Sequence, residues 1–486
     1  MNHAPTLARY SMTGGLLFIA AVVASSPLTV LAGGIPTTYA RTGVAGVPLS
    51  FLLVMVVLGV LMVAKISVGR HVRHGAPFYA QLAHVSPAAG LAAAGVAFVG
   101  YNALQISLYP LLGVTMAGLA GTGPWWVWAG GAWLVVLLLG RHPGAVNAQV
   151  LGVLLALEIA VIGFFVLAGF SSPAGGAVSA DVLMPSSLFV LGAAAPVLVF
   201  AMAAFAGVES VLAYGEEATS ARAVAAALAA AVGVCGVLYC AASWAYASWL
   251  GLDQLQAGAA DPDRQPLDLL EAMFGSGITV LATAFLVTSV LAAMISFHAT
   301  VARYVFALAR EQVLPRSWAT VSSGAGGGAP LGGSRVQAVT AAAVLAVFGV
   351  AGADPMTVIF PWLSALGALC VLLLLTAAAW SALVFFARGH GRAEPPLVRR
   401  VFPLAGGVAG VFALTFMASN LRLILDVPTG SARPWLIAVP IAAAVLTGLT
   451  GGAWLRRHHP DTYTQLGRGV PQPARVLDPQ LNDIEV

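Results

Sequence analysis

Charged residues are missing from several stretches of this chain that are long enough to cross a membrane. None occurs from Tyr10 to Ala40, a run of 31 residues. Between Asp181 and Glu216 there is a single charge, the carboxylate of Glu209. A membrane-spanning helix needs about 20 consecutive, predominantly apolar residues. The repetition of such runs along the chain therefore predicts a polytopic, all-α integral membrane protein.

The composition agrees with this prediction and argues against other classes of protein. Hydrophobic residues make up 59% of the chain and charged residues 8%, whereas about 25% of a soluble domain is charged. The basic residues, of which only Lys65 is a lysine, are spread over short loops, so the net charge of +4 does not predict nucleic-acid binding. Cys235, Cys240 and Cys370 lie inside apolar runs, where cysteine acts as a small hydrophobe. We expect no disulfide, no metal site and no cofactor.

The apolar runs predict twelve transmembrane helices, numbered 1 to 12 in chain order. The predicted bounds are 15–39, 45–64, 88–117, 124–140, 146–169, 192–215, 224–250, 277–302, 336–352, 357–387, 402–421 and 434–455. An even number of crossings places both termini on the same side of the membrane.

The loop charges indicate which side that is. Of the 22 lysines and arginines, 18 fall in the termini and in the loops on the same side as the termini. The opposite loops hold only Arg41, Arg264, Arg422 and Arg433. Cytoplasmic loops carry an excess of Lys and Arg, so we expect a multi-pass protein of the plasma membrane with both termini cytoplasmic.

Two predicted helices contain an interruption, and they lie five helices apart. Helix 1 has Ser25-Ser26-Pro27, where proline removes a backbone donor and disfavours helical geometry at the preceding residue. Helix 6 has Ala206-Gly207, followed closely by the buried acid Glu209. Interrupted helices at matching places in two halves are typical of transporters with inverted repeats. We therefore predict a five-plus-five repeat with two added helices; the alternative is a simple kink in helix 1.

Four segments resemble the amino acid permeases of the amino acid–polyamine–organocation superfamily. They are ASSPLTVLAGGIP (24–36), GAPFY (75–79), FAGVES with GEE (205–210 and 215–217) and FHATVARYVFALAREQVLP (297–315). The resemblance implies a leucine-transporter-type fold that moves amino acids or related amines by proton symport or substrate exchange. Two features depart from the family pattern: no proline follows the paired glutamates, and Ala203 stands where many members have an aromatic gate.

This fold divides the chain into five parts. They are a cytoplasmic N-terminus (1–14), the first repeat (15–170), the second repeat (190–387), helices 11 and 12 (402–455) and a disordered cytoplasmic tail (456–486).

The interruptions predict where a small-molecule substrate binds. Resumed half-helices offer free N–H groups to a carboxylate, and preceding half-helices offer carbonyls to an ammonium group. We assign the carboxylate to Pro27, Leu28 and Thr29, with the hydroxyls of Ser25 and Ser26 close by. The ammonium group is assigned to carbonyls around Val22, Val23 and Phe205. Further candidates for the substrate site are Ala206, Gly207 and the ring of Phe205, and on helix 3 Tyr101, Asn102 and Gln105, which line the pocket or join helices by hydrogen bonds.

The remaining candidates concern coupling and gating. An acid inside a membrane usually serves a ligand or an ion path, so Glu209 is expected to couple substrate or a proton to gate movement, the alternative being a structural acid. Glu158, inside helix 5, is a proton site or a structural hydrogen-bonding group. Glu216 and Glu217 end helix 6, where negative charge opposes the helix dipole and calls for a cation. The candidate partners are Arg303, Arg310 and Arg222, and His298 is a satisfied interior histidine or a relay.

Two other functions compete with amino acid transport. An amine or polyamine transporter would use acids as ammonium partners in place of the helix 1 amides. A membrane enzyme would need a cluster of acidic, basic or metal-binding groups at the membrane surface, and the sequence has no such cluster, so we expect no enzyme activity.

Overall fold

The computed structural model describes residues 6–191, 193–322, 328–428 and 430–469. In these residues, eleven helices are long and apolar enough to cross a membrane, and Trp125–Leu139 is a shorter apolar helix. We number these helices α1 to α12 in chain order. Their bounds are Gly14–Thr42, Val47–Gly69, Pro87–Ala120, Trp125–Leu139, Gly144–Ser171, Ala194–Tyr214, Ala221–Leu250, Ser276–Arg310, Leu331–Val350, Pro355–Ala387, Leu397–Ser419 and Arg433–His458.

The prediction of an all-helical, multi-pass membrane protein is confirmed. Each predicted helix has a counterpart, but the predicted helix 4 corresponds to α4, which has only 15 residues. The largest difference in bounds is at α8, which continues to Arg310 instead of ending near residue 302. The helix continues because Arg303, which was expected to lie in a loop, is buried against a carboxylate.

Helix α1 is divided at its middle. Its first half is regular from Gly14 to Ala24, and Ser26 then adopts the left-handed region with a φ of 48°. Pro27, which has no backbone N–H to donate, begins the second half of α1. That half continues through a π-helical turn, Val30–Gly34, into Ile35–Thr42.

Helix α6 is divided in a similar way. Its regular part is Ala194–Ala204, and Gly207 has a φ of 110°, a value that side chains other than glycine rarely adopt. The chain then continues as a 3₁₀ helix, Val208–Tyr214. A 3₁₀ segment of seven residues is long for this conformation. The divided helices α1 and α6 are also among the most buried, with 67% of their apolar windows inside the protein against 22% for α12.

The segments between helices gather on two faces. The face that carries the described ends of the chain, which we call the terminal face, is joined by contacts between distant segments. These contacts are Leu7 with Gly328, Met12 with Ala218, Gly75 with Glu216 and Arg70 with Glu394. The opposite face is joined by Arg41 with Asp426, Gly46 with Ser187 and Gly43 with Gln256.

The first part of the predicted disordered tail is ordered in the structure. Helix α12 continues to His458, and a short helix, Pro460–Gln465, follows. Gly467 and Gly469 then donate hydrogen bonds to Glu311, which explains why this segment is ordered. The rest of the predicted tail, 470–486, lies outside the described residues.

Candidate functional site

The interruptions of α1 and α6 lie directly against one another. A Cβ atom added to Gly207 would lie 2.6 Å from the carbonyl oxygen of Ala24 and 2.8 Å from the ring of Phe297. Only glycine allows backbone to approach this closely. The positive φ of Gly207 and its contact with Ala24 both require glycine here.

The two serines of α1 are buried in a polar network. The hydroxyl of Ser25 donates to the carbonyl of Val22 at 2.8 Å and lies 2.9 Å from the hydroxyl of Tyr239 on α7. The amides of Ser25 and Ser26 bond to the carbonyls of Val22 and Val23. Each carbonyl has a second lone pair. The carbonyl of Val22 already accepts both the hydroxyl and the N–H of Ser25, whereas the carbonyl of Val23 accepts one N–H and is able to accept a further donor.

The amides assigned to a carboxylate are already engaged. Thr29 donates its N–H to the carbonyl of Ser26 at 3.0 Å, and Pro27 has no N–H. The carboxylate of Glu158 on α5 lies beside the N–H of Leu28. The sequence-based assignment of these amides to a substrate is therefore incomplete, because a side chain of the protein holds one of them.

Glu158 is joined to the helix 1 interruption through α8. Ser289 donates its hydroxyl to Glu158 at 2.7 Å, and Ser26 lies 2.9 Å from Ser289. Ser26 also lies 2.6 Å from the hydroxyl of Thr29. This chain of hydroxyl groups connects three helices at the point where α1 resumes.

Phe205 packs among aromatic rings beside the interruptions. Its ring centroid lies 5.6 Å from that of Tyr239 and 6.5 Å from that of Phe51 on α2. Phe205 is buried and ends the regular part of α6, and Ala206, which follows it, is partly exposed. Phe205 and Ser25 therefore both contact Tyr239, at the side of the α1 interruption.

Glu209 bonds to the interruption in its own helix. Its Oε2 accepts the N–H of Gly207 at 3.0 Å. Its Oε1 is buried and has no hydrogen-bond partner in the described part of the chain. Tyr101 lies beside this carboxylate. Glu209 therefore stabilises the broken backbone of α6 and keeps one acceptor available.

The polar residues of α3 separate into different environments. Tyr101 faces α6 and α8, and its ring stacks on that of Phe297 at 6.4 Å. Gln105 instead accepts a hydrogen bond from Gln337 on α9. Asn102 donates to the carbonyl of Phe98 in its own helix at 2.8 Å. Of the predicted α3 residues, only Tyr101 is placed near the interruptions, and Gln105 joins two helices.

Arg303 and Glu217 form a buried ion pair below the interruptions. Arg303 donates from Nε and Nη2 to the two oxygens of Glu217, at 2.5 and 2.9 Å. Its Nη1 donates to the carbonyl of Ala299, and its guanidinium group lies 3.9 Å from the ring centroid of Tyr214. Both charged side chains are 2% exposed. The pair joins the end of α6 to α8.

Arg310 and Glu216 form a second ion pair, which lies closer to solvent than the pair of Arg303 and Glu217. Arg310 donates to both oxygens of Glu216, at 2.6 and 2.8 Å, and Gly75 donates its N–H to the same carboxylate. Burial acts to raise the pKa of Glu216, but the hydrogen bonds and charge of Arg310, with the N–H of Gly75, lower that pKa to about 2. We call these two ion pairs the latch. Arg222, the other predicted partner, is exposed and belongs to no ion pair in the described residues.

Glu311, which follows the latch on α8, receives four donors. They are Nε2 of His74, the hydroxyl of Tyr79 and the N–H groups of Gly467 and Gly469. Burial acts to raise the pKa of Glu311, but the hydrogen bonds from His74, Tyr79 and Gly467 lower it below its ordinary value. Glu311 thus fixes the segment after α12 to the end of α8.

His298 lies on the far side of α8 from the latch. Its Nε2 is 2.7 Å from the hydroxyl of Ser334 on α9, and its Nδ1 has no partner in the described residues. Gly140, which caps α4, packs against the same imidazole. No group of three or more potential metal ligands occurs in the described ranges.

The sequence reasoning missed several partners of the predicted residues, namely Tyr239, Ser289, Phe297, Tyr214, Gly75 and Glu311. Serine and aromatic residues are common in membrane helices, so nothing in the local pattern marked Tyr239, Ser289 and Tyr214, whereas Gly75 and Phe297 begin segments already singled out by resemblance. Glu311 could have been identified, because it immediately follows Arg310 in a segment already singled out by resemblance.

Comparison with known proteins agrees with the resemblance in the sequence. A family model described as "Amino acid permease" matches residues 15–446. The match covers α1 to α11 and the greater part of α12. A search of curated proteins gave no match.

Proposed function

The chain belongs to the amino acid permease family and is a membrane transporter of amino acids or related substrates, and from this premise we propose that it works by alternating access around Ser26 and Gly207. The observation that carries the proposal is the contact between the Ala24 carbonyl and Gly207. The close approach of the two interruptions brings backbone groups of both helices to a single buried point. Family membership indicates a transporter rather than an enzyme.

We assign α1–α5 and α6–α10 to two inverted repeats, with α11 and α12 added. The assignment is supported by the position of the divided helices, since each is the first of its proposed repeat. In transporters of this type the substrate lies at the interface of the repeats, between discontinuous helices. The two halves of α1 and α6 are then the parts that move against the rest of the protein.

The proposed site recognises both ends of an amino acid. The ammonium group is held by the carbonyls of Val22, Val23 and Phe205. Those of Val23 and Phe205 each accept one backbone N–H and have a second lone pair, and that of Val22 exchanges the Ser25 hydroxyl for the ammonium group. The carboxylate approaches the start of the second half of α1, where Glu158 already lies beside the N–H of Leu28.

That position of Glu158 suggests a coupling mechanism. Two carboxylates at one site cannot readily both be charged. A substrate carboxylate therefore binds more favourably when Glu158 carries a proton. The proton and the substrate would then cross together, which is proton symport. Substrate exchange is the other form of coupling that the family resemblance implies.

Glu209 and the latch connect this site to the gate. Glu209 holds Gly207 and keeps a free oxygen, so it senses a change at the α6 interruption. Glu216 and Glu217 lie at the end of the same helix and pair with α8. We propose that the latch closes the cytoplasmic side in this structure and that it separates when the protein opens inward.

The location proposed is the plasma membrane, with the terminal face in the cytoplasm. The support is the distribution of charge, because 18 of the 22 basic residues lie on that face by the predicted topology. Electrostatics of this kind set the orientation of membrane proteins.

An amine substrate is the second candidate. The amides near Thr29 are engaged, and two buried acids, Glu158 and Glu209, lie close to the interruptions and would suit an ammonium group. Competition between an amino acid and the amine formed by its decarboxylation separates the two. If only the amine stabilises the purified protein against heat, the carboxylate site proposed here is wrong.

The central proposal is tested by replacing Gly207 with alanine. The added methyl group meets the Ala24 carbonyl and Phe297, and the φ of 110° costs on the order of 1–3 kcal/mol in a residue with a side chain. We expect uptake into proteoliposomes to fall roughly tenfold or more, as positioning errors at active sites do.

The matched control is Gly163→Ala in α5. Nothing lies within 4 Å of the added Cβ at Gly163, so uptake should remain at the wild-type rate. Wild-type uptake by Gly207→Ala would mean that the interruptions do not form the site.

A further inference from the structure

A cavity of about 310 Å³ opens on the terminal face, next to the latch. It lies where five parts of the protein meet: the N-terminal segment, the end of α2 with the segment after it, the end of α6, the end of α8 and the segment after α12. The residues that line it are Arg9, Arg70, His71, Val72, Arg73, His84, Glu216, Arg310, Arg468 and Gly469. Volumes of this size are typical of small-molecule sites.

The charges around this cavity are not balanced. Its one acidic lining residue, Glu216, has both oxygens engaged by Arg310. Arg70 forms an ion pair with the nearby Glu394, at 3.3 Å. Arg9, Arg73 and Arg468 take part in no ion pair within the described ranges, so the cavity has a strong excess of positive charge.

Two of the guanidinium groups also keep buried donors without partners. The Nε atoms of Arg73 and Arg310 are buried and make no hydrogen bond to any described residue. The side chain of Arg310 is 6% exposed. A buried donor without a partner is unfavourable, so a ligand acceptor that reached either atom would stabilise the site.

We propose that this cavity binds a phosphate group, carried by a soluble cytoplasmic solute or by the head group of an anionic phospholipid. Planar guanidinium groups match phosphate oxygens in pairs. A soluble phosphate or phosphomonoester brings more than one negative charge and a phosphodiester head group brings one, so either offsets part of the charge of the three unpaired arginines. The cytoplasmic source rests on the orientation in the proposed function, but the binding chemistry does not.

An occupant here would act on the gate. It would contact Arg310 of the latch, Arg73 in the segment before α3, and Arg468 after α12 at the same time. A ligand that binds one conformation better shifts the population toward it. Because the arginines that would hold the phosphate come from separate segments gathered in this structure, phosphate would bind this arrangement better, hold the latch closed and slow opening on the terminal face.

The test measures thermal stability of the full-length protein with inorganic pyrophosphate, at constant ionic strength. Wild type should be stabilised, and the double variant Arg9→Gln/Arg468→Gln should bind about tenfold more weakly or worse. Both arginines are exposed and their side chains make no hydrogen bond in the described ranges, so this variant should fold. Arg457→Gln, an exposed arginine outside the cavity, is the matched control and should respond like wild type.

A second arm identifies the source of the phosphate. The same proteins are reconstituted in vesicles of phosphatidylcholine alone, or of phosphatidylcholine and phosphatidylglycerol in equal parts. Stabilisation by pyrophosphate indicates a soluble ligand, and stabilisation by phosphatidylglycerol alone indicates a lipid. No stabilisation in either arm, or equal stabilisation of the double variant and wild type, overturns the proposal. Neither outcome affects the transport test at Gly207, which uses no phosphate.

Discussion

At the scale of single residues, the most direct prediction about coupling concerns Glu158. If a proton on Glu158 is needed before a substrate carboxylate can bind, uptake by the wild type falls as the pH rises from about 5 to about 8. Glu158→Gln mimics the protonated form, keeps the hydrogen bond from Ser289, and should make uptake independent of pH. The measurement is uptake of the best-bound amino acid into proteoliposomes across this range.

Asp253→Asn is the control for that experiment, because it removes an acid that is exposed on the opposite face. Its uptake should keep the wild-type pH dependence. A Glu158→Gln protein with an unchanged pH profile would show that Glu158 is a structural partner of α1 and not the coupling site.

A second prediction at this scale concerns the buried ion pair of Arg303 and Glu217. Glu217→Gln leaves a buried guanidinium group without a counter-charge, which costs about 3–5 kcal/mol. We expect a lower thermal midpoint and a loss of uptake. The exchange of charges, Glu217→Arg with Arg303→Glu, should recover part of both. Recovery of neither would mean that the orientation of the two side chains, and not their opposite charge, is what the gate needs.

Sequence reasoning located the charged members of the site better than the neutral ones. Glu158 and Glu209 were found because a carboxylate inside an apolar run is unusual and costly. Ser289, which donates to Glu158, is 131 positions away and looks like any serine of a membrane helix. Its role follows only from the packing of α8 against α5, which local pattern does not encode.

At the scale of elements, the end of α8 is held by Glu311 and the segment after α12. Glu311→Gln removes the charge that four donors surround, so the segment at Gly467 and Gly469 should dock less tightly. We expect faster limited proteolysis after residue 465 and a lower thermal midpoint at neutral pH. Asp461→Asn, an exposed acid in the same segment, should change neither.

The same carboxylates give this region a defined response to acid. The pKa values of Glu216 and Glu311 are lower in the folded protein than the ordinary glutamate value of 4.5. Their contribution to stability is therefore complete above about pH 4.5 and is lost as the pH falls toward the folded values. The thermal midpoint should not depend on these two groups between about pH 5 and about pH 8, and it should fall in stronger acid. Equal stability near pH 3 and pH 7 would contradict this assignment.

Helix bounds were predictable to within a few residues wherever hydropathy decides them. The exception, α8, shows the limit of hydropathy. A single-residue scale treats Arg303 as the start of a loop, but its charge is neutralised by Glu217 and its helix runs on to Arg310. The short helix after α12 was missed for a related reason, because Glu311, far away in sequence, stabilises it.

At the scale of the whole molecule, the contacts between faces bear on the number of crossings. Gly75, before α3, donates its N–H to Glu216, after α6, at 2.9 Å. The two residues are therefore on the same face, and an even number of crossings must separate them. Helices α3, α5 and α6 supply three, so the contact favours a crossing by α4 as well, although 15 residues of helix span only about 22 Å.

The packing of α4 is consistent with such a crossing. Its start lies against Gly113, near the opposite-face end of α3, and its end lies against His298, in the half of α8 toward the terminal face. This argument needs contacts between helices that are distant in the sequence. Helix α4 is apolar but shorter than the other candidate spans, so the count of twelve remains a prediction.

Labelling of single introduced cysteines decides the count. Thr122→Cys and Arg141→Cys flank α4 at exposed positions, and the native cysteines are all buried. With twelve crossings, a membrane-impermeant thiol reagent should label Thr122→Cys from the same side as Asp263→Cys. It should label Arg141→Cys only from the other side. If Thr122→Cys and Arg141→Cys react from one side, α4 does not cross, and the shared orientation of both termini must be abandoned with it.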